Sequence, residues 1–218
     1  NVSKFKDTYL PKSMLDIEDF SVNGFNLGVF EAKIEGNSSL TNYDVELKIQ
    51  DDLKESFSAV GNLDVSGVHS NLDLNLNFKD FILNPLNPFG GGVITNIRGK
   101  VSGFSKISGR LEKPQINGEL RLDSGGISIP YLNIDYAFDD KTGVKLEGQS
   151  FVFEAAKIKD TKFLSKGILN GKMNHVNLKN WSLDTTIDSD RLLVLNTSET
   201  EESLYYGTGF VSGNIDIS

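Results

Sequence analysis

The chain has no cysteine, which removes disulfides, thiolate nucleophiles and cysteine-ligated zinc together. Histidine is nearly as scarce. His69 and His175 are the only two, each among turn or strand-edge residues with no second histidine or spaced carboxylate beside it, so both are expected on the surface without a metal role. No apolar run approaches the ~20 residues that a membrane-spanning helix needs. There is no run of Lys or Arg either: 22 basic residues are scattered singly against 30 acidic ones, for a formal net charge of -8. An acidic surface repels phosphate backbones, which argues against nucleic acid as a partner. Absence of cysteine suits both the cytoplasm and an oxidising envelope compartment.

The motifs of catalysis are missing as well. Asp51-Asp52, Asp139-Asp140 and Glu199/Glu201/Glu202 are acidic clusters in apparent turns, where solvation accounts for them better than the paired carboxylates of a glycosidase cleft. GFVSG and GFSKISG lack the strand-to-helix setting of a nucleophile elbow. DSDR is too short for a calcium loop and lacks its closing Glu. NPFGGGV is followed by no Lys-Ser/Thr and no helix start, so it is no phosphate cradle. Tyr205-Tyr206 is read as packing rather than a stacking platform. No enzyme, cofactor or metal is expected.

What is present is alternation. GNLDVSG, NLDLNLNF, GELRLDSGGISIP, LNIDYAF, VKLEG, FVFEA, GILNGKM and GFVSGNIDI each place apolar residues at every second position, in runs of about four to eight closed by Gly, Asn, Asp or Pro. The nearest approach to a helical pattern is LPKSMLDIEDF, and it develops no full apolar stripe. Asn-Gly pairs at 23–24, 117–118 and 170–171 suggest tight hairpins, although in QINGELRL a bulge inside a continuous strand is an equal alternative. LDLNLNFKDFILN (72–84) is echoed by LDTTIDSDRLLVLN (183–196), a loose internal repeat of a strand module. Two stretches break the rhythm. NPLNPFGGGV (84–93) suggests a sub-block boundary near residue 90, and NTSETEESLYYG (196–207) an exposed connection. An all-β chain follows. On period alone it is either a β-sandwich burying its own faces, or an elongated curled sheet whose apolar face is available to an apolar ligand.

The stretch GRLEKPQINGELRLDSGGISIPYLNIDYAF (109–138) runs Gly, short strand, Lys-Pro, Gly, strand, Gly, Ile-x-Ile-Pro, strand. That order resembles the C-terminal domain of the TamB family, AsmA-like proteins of the diderm bacterial envelope. KIKDT, GILNGKMNH, LNTSETEESLYYG and VSGNIDI resemble its Bacteroides-type version. The resemblance covers residues 61–218; residues 1–60 are leading strands that resemble it more weakly.

The family is long, anchored in the inner membrane by an N-terminal helix, and crosses the periplasm as a curled, taco-like sheet with an apolar groove. Its partner is an outer-membrane barrel protein of the BamA superfamily, and it is implicated in outer-membrane protein assembly and phospholipid transport. The resemblance therefore implies a non-enzymatic periplasmic segment that shields phospholipid acyl chains in a β-groove. Strand-pairing assistance to outer-membrane barrel proteins is the alternative. Taken from alternation, the expected lining is Leu72, Leu74, Leu76, Phe78, Leu120, Leu122, Ile127, Ile129, Leu132, Ile134, Tyr136, Phe138, Val144, Leu146, Phe151, Phe153 and Met173. NVSKFKDTYLPKS has neither the apolar core nor the cleavage site of a signal peptide, and VSGNIDIS stops in mid-alternation, so the chain is expected to be part of something longer. Such an excised sheet, with open edges, is expected to dimerise or to need detergent.

Overall fold

The computed structural model describes residues 2–5, 8–52, 54–177, 179–199 and 206–218. The chain is all-β. Its strands are β1 (Val2–Phe5), β2 (Thr8–Ile17), β3 (Ser21–Val22), β4 (Phe25–Asn26), β5 (Val29–Gly36), β6 (Asn42–Asp51), β7 (Lys54–Asp64), β8 (Asn71–Ile82), β9 (Thr95–Arg110), β10 (Gln115–Ile129), β11 (Ile134–Phe138), β12 (Thr142–Gly148), β13 (Ser150–Asp160), β14 (Lys166–Val176), β15 (Lys179–Thr197) and β16 (Gly207–Ile217). Two 3-10 turns, Asn84–Gly90 and Pro130–Leu132, are the helical content among the described residues.

The chain forms two compact units. Unit 1 comprises Asn1–Phe81, Ser102–Leu120 and Leu146–Gln149; unit 2 comprises Ile82–Val101, Arg121–Lys145 and Ser150–Ser218. Residue 90, where the sequence suggests a break, lies within the Ile82–Val101 segment of unit 2. In unit 1 the strands run β1-β2-β5-β6-β7-β8 in hydrogen-bonded order, antiparallel throughout. In unit 2 the path is β10-β11-β13-β14-β15-β16, also antiparallel, with β12 beside β10 and β13.

LPKSMLDIEDF, the nearest to a helical pattern, is a strand for most of its length. Leu15 and Ile17 alternate with Asp16, and β5 offers Ala32 and Phe30 directly opposite them. Pairing with an apolar neighbour outweighs a helical stripe that never completes.

The Asn-Gly pairs divide. Asn23 (φ 52°) and Gly24 (φ 82°) form the two-residue turn between β3 and β4, as their sequence suggests. The other two pairs are not hairpins; they lie inside β10 and β14. At the second of these, Gly171 has φ 119°, and a Cβ there would collide with the Asp184 carbonyl oxygen on β15. Asn170 uses its Oδ1 to accept the Ala155 N–H at 2.7 Å, where β13 bulges between Phe153 and Ala156. The pair serves a bulge between neighbouring strands instead of reversing the chain.

The glycine- and proline-rich segment 84–93 is ordered. Pro85 is buried in the first 3-10 turn, and the Asn87 side chain donates to the Ile97 carbonyl and accepts its N–H.

Unit 2 closes around Ile134, Tyr136, Ile158, Ile187, Leu192 and Leu193, with Ile127, Ile129, Leu132, Phe138, Leu169, Phe210, Val211 and Ile215 packed against them. Adjacent Leu192 and Leu193 are both inside, at 0% and 1% exposure, because the β15–β16 register shifts on either side of them. The Tyr136 hydroxyl donates to the Leu193 carbonyl at 2.6 Å. Burial, with the Asp160 charge second, pushes its phenol up to about 12.

Asp160 is fully buried at the end of β13. Its carboxylate accepts the N–H groups of Lys162, Phe163 and Ser165 and the Ser165 hydroxyl. Burial alone would push the carboxyl up; the Ser165 hydroxyl and the three backbone donors outweigh it and hold the group below the ordinary carboxylate value. A depressed folded-state value means that this contribution is complete above an unfolded-state pKa of about 4 and is lost as pH falls through the folded value. Urea unfolding between neutral and acid pH is therefore expected to show stability dropping below about pH 4, more shallowly in Asp160→Asn than in the parent.

Candidate apolar binding face

Unit 1 sorts its residues into two faces by register. Ile17, Phe30, Ile49, Phe57 and Phe78 stand directly opposite one another across β2, β5, β6, β7 and β8. The next row on the same face is Leu15, Ala32, Leu47, Ala59 and Leu76, followed by Ser13, Ile34, Val45, Gly61 and Leu74. A fourth row, Gly36, Tyr43, Leu63 and Leu72, completes the array. Directly paired residues share a face, so these rows are one apolar surface.

The intervening rows carry the charge. Lys12, Glu35, Asp44, Asn62 and Asp73 form one, and Asp16, Glu31, Lys48, Ser58 and Asn77 another. On that side Lys12 and Lys33 both reach Glu35, at 2.8 and 3.2 Å, and Lys48 reaches Glu46 at 2.7 Å. The paired lysines hold the carboxyls of Glu35 and Glu46 below their ordinary value. These ion pairs are solvated and contribute little stability. Their consequence is directional: the face that carries them stays wetted.

The apolar face is only partly closed. Ile49, Ala59 and Leu74 are buried, at 7%, 1% and 9% exposure, while Leu15 is 52% exposed and Ile17 and Ile34 are 37% exposed. Phe30, Leu47, Leu63, Leu72, Leu76 and Phe78 are half-buried. Over one end of the array the β3–β4 excursion folds back, setting Phe20 5.0 Å from Phe30 between ring centres and burying Leu27. Nearby strand positions carry a ring cluster of Phe57, Phe78 and Phe81, with centroids 5.1–6.0 Å apart.

The residues expected to line a groove are distributed over both units. Leu72, Leu74, Leu76 and Phe78 are the β8 edge of the array just described. Leu120 and Leu146 are also in unit 1, half-buried and buried respectively. In unit 2, Ile134 and Tyr136 are core residues at 3% and 8% exposure, and Ile127, Ile129, Leu132 and Phe138 pack against that core. Leu122, Val144 and Phe153 are buried, whereas Phe151 and Met173 are half-buried. Ile17, Ile34, Val45, Leu47 and Phe57 were missed by the sequence-based selection, although VFEAKIEG and YDVELKIQ alternate as cleanly as the later strands.

His175 is not the surface residue expected from its neighbours. It is buried in unit 2, with the Phe151 ring 5.4 Å and the Trp181 ring 5.0 Å from its own, and burial lowers its pKa. His69 is exposed beside Arg110 and Glu112. Among the described residues no group of three or more metal-ligating side chains occurs. Asp51, Asp52, Asp139 and Asp140 are exposed; Glu201, Glu202 and Tyr205 lie outside the described residues. Unit 2 also has a cavity of about 320 Å³, bordered by Ser128, Pro130, Asn133, Asp135, Lys162 and Asn196 among others. Of its charged lining residues, Asp135 is held by Arg98 through two bonds of 2.7 and 2.8 Å, and Asp160 by the turn that follows it.

No family model, curated protein or solved structure matches the chain.

An open face and a closed core respond differently to truncation. Leu192→Ala is expected to cost about 2–5 kcal/mol of unfolding free energy, whereas Leu15→Ala should stay within about 0.5 kcal/mol of the parent. Denaturant midpoints of the two variants check this directly.

Proposed function

We propose that this chain is a segment of a TamB-like cell-envelope protein that shelters phospholipid acyl chains on an apolar sheet face, in transit through the periplasm between inner and outer membranes. The observation that carries the proposal is the unit 1 array: apolar residues in register over five strands, largely half-exposed, backed by a face of ion pairs. Five strands at about 4.8 Å spacing extend about 19 Å across the array, comparable to an extended acyl chain. Each methylene taken out of water on such a surface gains about 0.8 kcal/mol. No catalytic group is needed, since the surface only has to lower the free energy of a chain that water rejects.

A curled sheet with a groove, and partnership of the full-length protein with a BamA-superfamily barrel, belong to the same proposal. The ordered resemblance of residues 109–138 and the following strands supports them.

Photo-crosslinking residues introduced singly at Ile34, Leu47 and Leu76 are expected to capture phospholipid in cells. The same residue at Lys33, Glu46 and Asn75, on the opposite face, should capture none. Equal capture on both faces, or capture on the charged face alone, would sink the proposal.

A further inference from the structure

The turn between β13 and β14 presents apolar side chains to solvent. Phe163 is 45% exposed and Leu164 59% exposed. Leu164 has φ 60°, in the left-handed region that a leucine seldom occupies. Buried Asp160 imposes this shape from below by accepting the backbone N–H groups of Lys162, Phe163 and Ser165. The Ser165 hydroxyl oxygen in turn accepts the Leu193 N–H at 2.8 Å. A clamp on buried core thus holds two large apolar groups out in water.

At the base of the turn, Lys159 on β13 lies directly opposite Lys166 on β14, and Lys166 lies directly opposite Arg191 on β15. Like charges in directly paired positions destabilise a sheet, and here three follow one another across three strands. Among the described residues no carboxylate bonds to any of them. The Arg191 guanidinium lies 3.8 Å from the centre of the Phe210 ring, and Phe210 also meets the edge of Phe163 at 5.4 Å. Lys162 adds a further cation beside Phe163. Exposed Asp188, Asp190 and Glu199 are the carboxylates of the adjoining chain; Asp160 is buried and Asp135 is held by Arg98. A chain of net charge -8 thus concentrates, behind an apolar tip, cations that no carboxylate among the described residues neutralises.

We propose that this turn docks on the surface of an anionic phospholipid bilayer, with Phe163 and Leu164 entering the headgroup–acyl boundary and Lys159, Lys166 and Arg191 meeting lipid phosphates. Amphiphilic elements of this kind bind by apolar insertion together with attraction to anionic lipid. An acidic protein would also satisfy the cations. A specific protein interface, however, needs about 1,200 Å² or more of buried surface, and two protruding side chains on a turn offer a bilayer what they do not offer a shaped partner. This proposal does not rest on the acyl-chain face of unit 1, which is made of other residues.

The test is flotation of the purified chain with vesicles of phosphatidylcholine alone or mixed with phosphatidylglycerol, at low and high salt. Binding to the mixed vesicles only, weakened by salt, is expected. Phe163→Ser with Leu164→Ser, and separately Lys159→Glu with Lys166→Glu, should each weaken it by at least about tenfold. Both pairs are at the surface, and an unchanged denaturant midpoint checks that the fold survives. Absence of binding to mixed vesicles would overturn the proposal, as would binding that both variants retain. Loss of vesicle binding in Leu47→Glu with retention in the turn variants would move the contact to unit 1 and equally overturn it. Binding of soluble polyglutamate as tight as that of vesicles, insensitive to the Phe163/Leu164 change, would assign the cations to an acidic polypeptide instead.

Discussion

Antiparallel pairing in a fixed register determines most of what this chain can do. Side chains alternate across a strand, so a slip of one residue would exchange the two faces wholesale. In unit 1, β2, β5, β6, β7 and β8 keep step closely enough for Ile17, Phe30, Ile49, Phe57 and Phe78 to form a single row. Lys12, Glu35 and Asp44 keep to the other side by the same register. Backbone hydrogen bonds supply the pairing, and the difference between hydrocarbon and charge supplies the register. A two-faced sheet follows without any single residue being indispensable, which is why conventional site motifs find nothing in this sequence.

Where the register breaks, the structure acquires its specific features. The bulge at Phe153/Ala156 takes the Asn170 side chain as a partner for an otherwise displaced N–H. Two shifts in β15 turn Leu192 and Leu193 inward together and seal the core of unit 2. At the end of β13 the Asp160 N–H still reaches the Ser165 carbonyl, and its side chain caps the turn that follows. One device, regular pairing, makes an extended surface; its local failures make a closed core and a rigid protruding turn.

Period-2 alternation was enough to identify the class and most strands of the later chain, because a half-buried strand leaves that signature in any fold; β5, β6 and β9 were not singled out, and β2 read as the nearest approach to a helix. It also marked Leu72, Leu74, Leu76 and Phe78 as one face. It could not distinguish a face that stays open from one that is sealed: Leu76 and Ile134 read alike, yet the first is half-exposed and the second buried. What covers a strand depends on chain far away in sequence. The same limit explains His175, whose polar neighbours suggest a surface site while Phe151 and Trp181 enclose it. Asn-Gly was ambiguous for a local reason, since the left-handed or extended glycine that closes a hairpin also admits a neighbouring backbone inside a strand.

The central claim is that the apolar face of unit 1 receives apolar chains while the core of unit 2 does not. Methyl-resolved NMR during titration with a short-chain phospholipid below its micelle-forming concentration tests it most directly. Perturbations confined to Leu15, Ile34, Val45, Leu47, Leu63 and Leu76, with Leu192 and Leu193 unmoved, are predicted. Perturbation of the two core leucines without those of the array would contradict the claim.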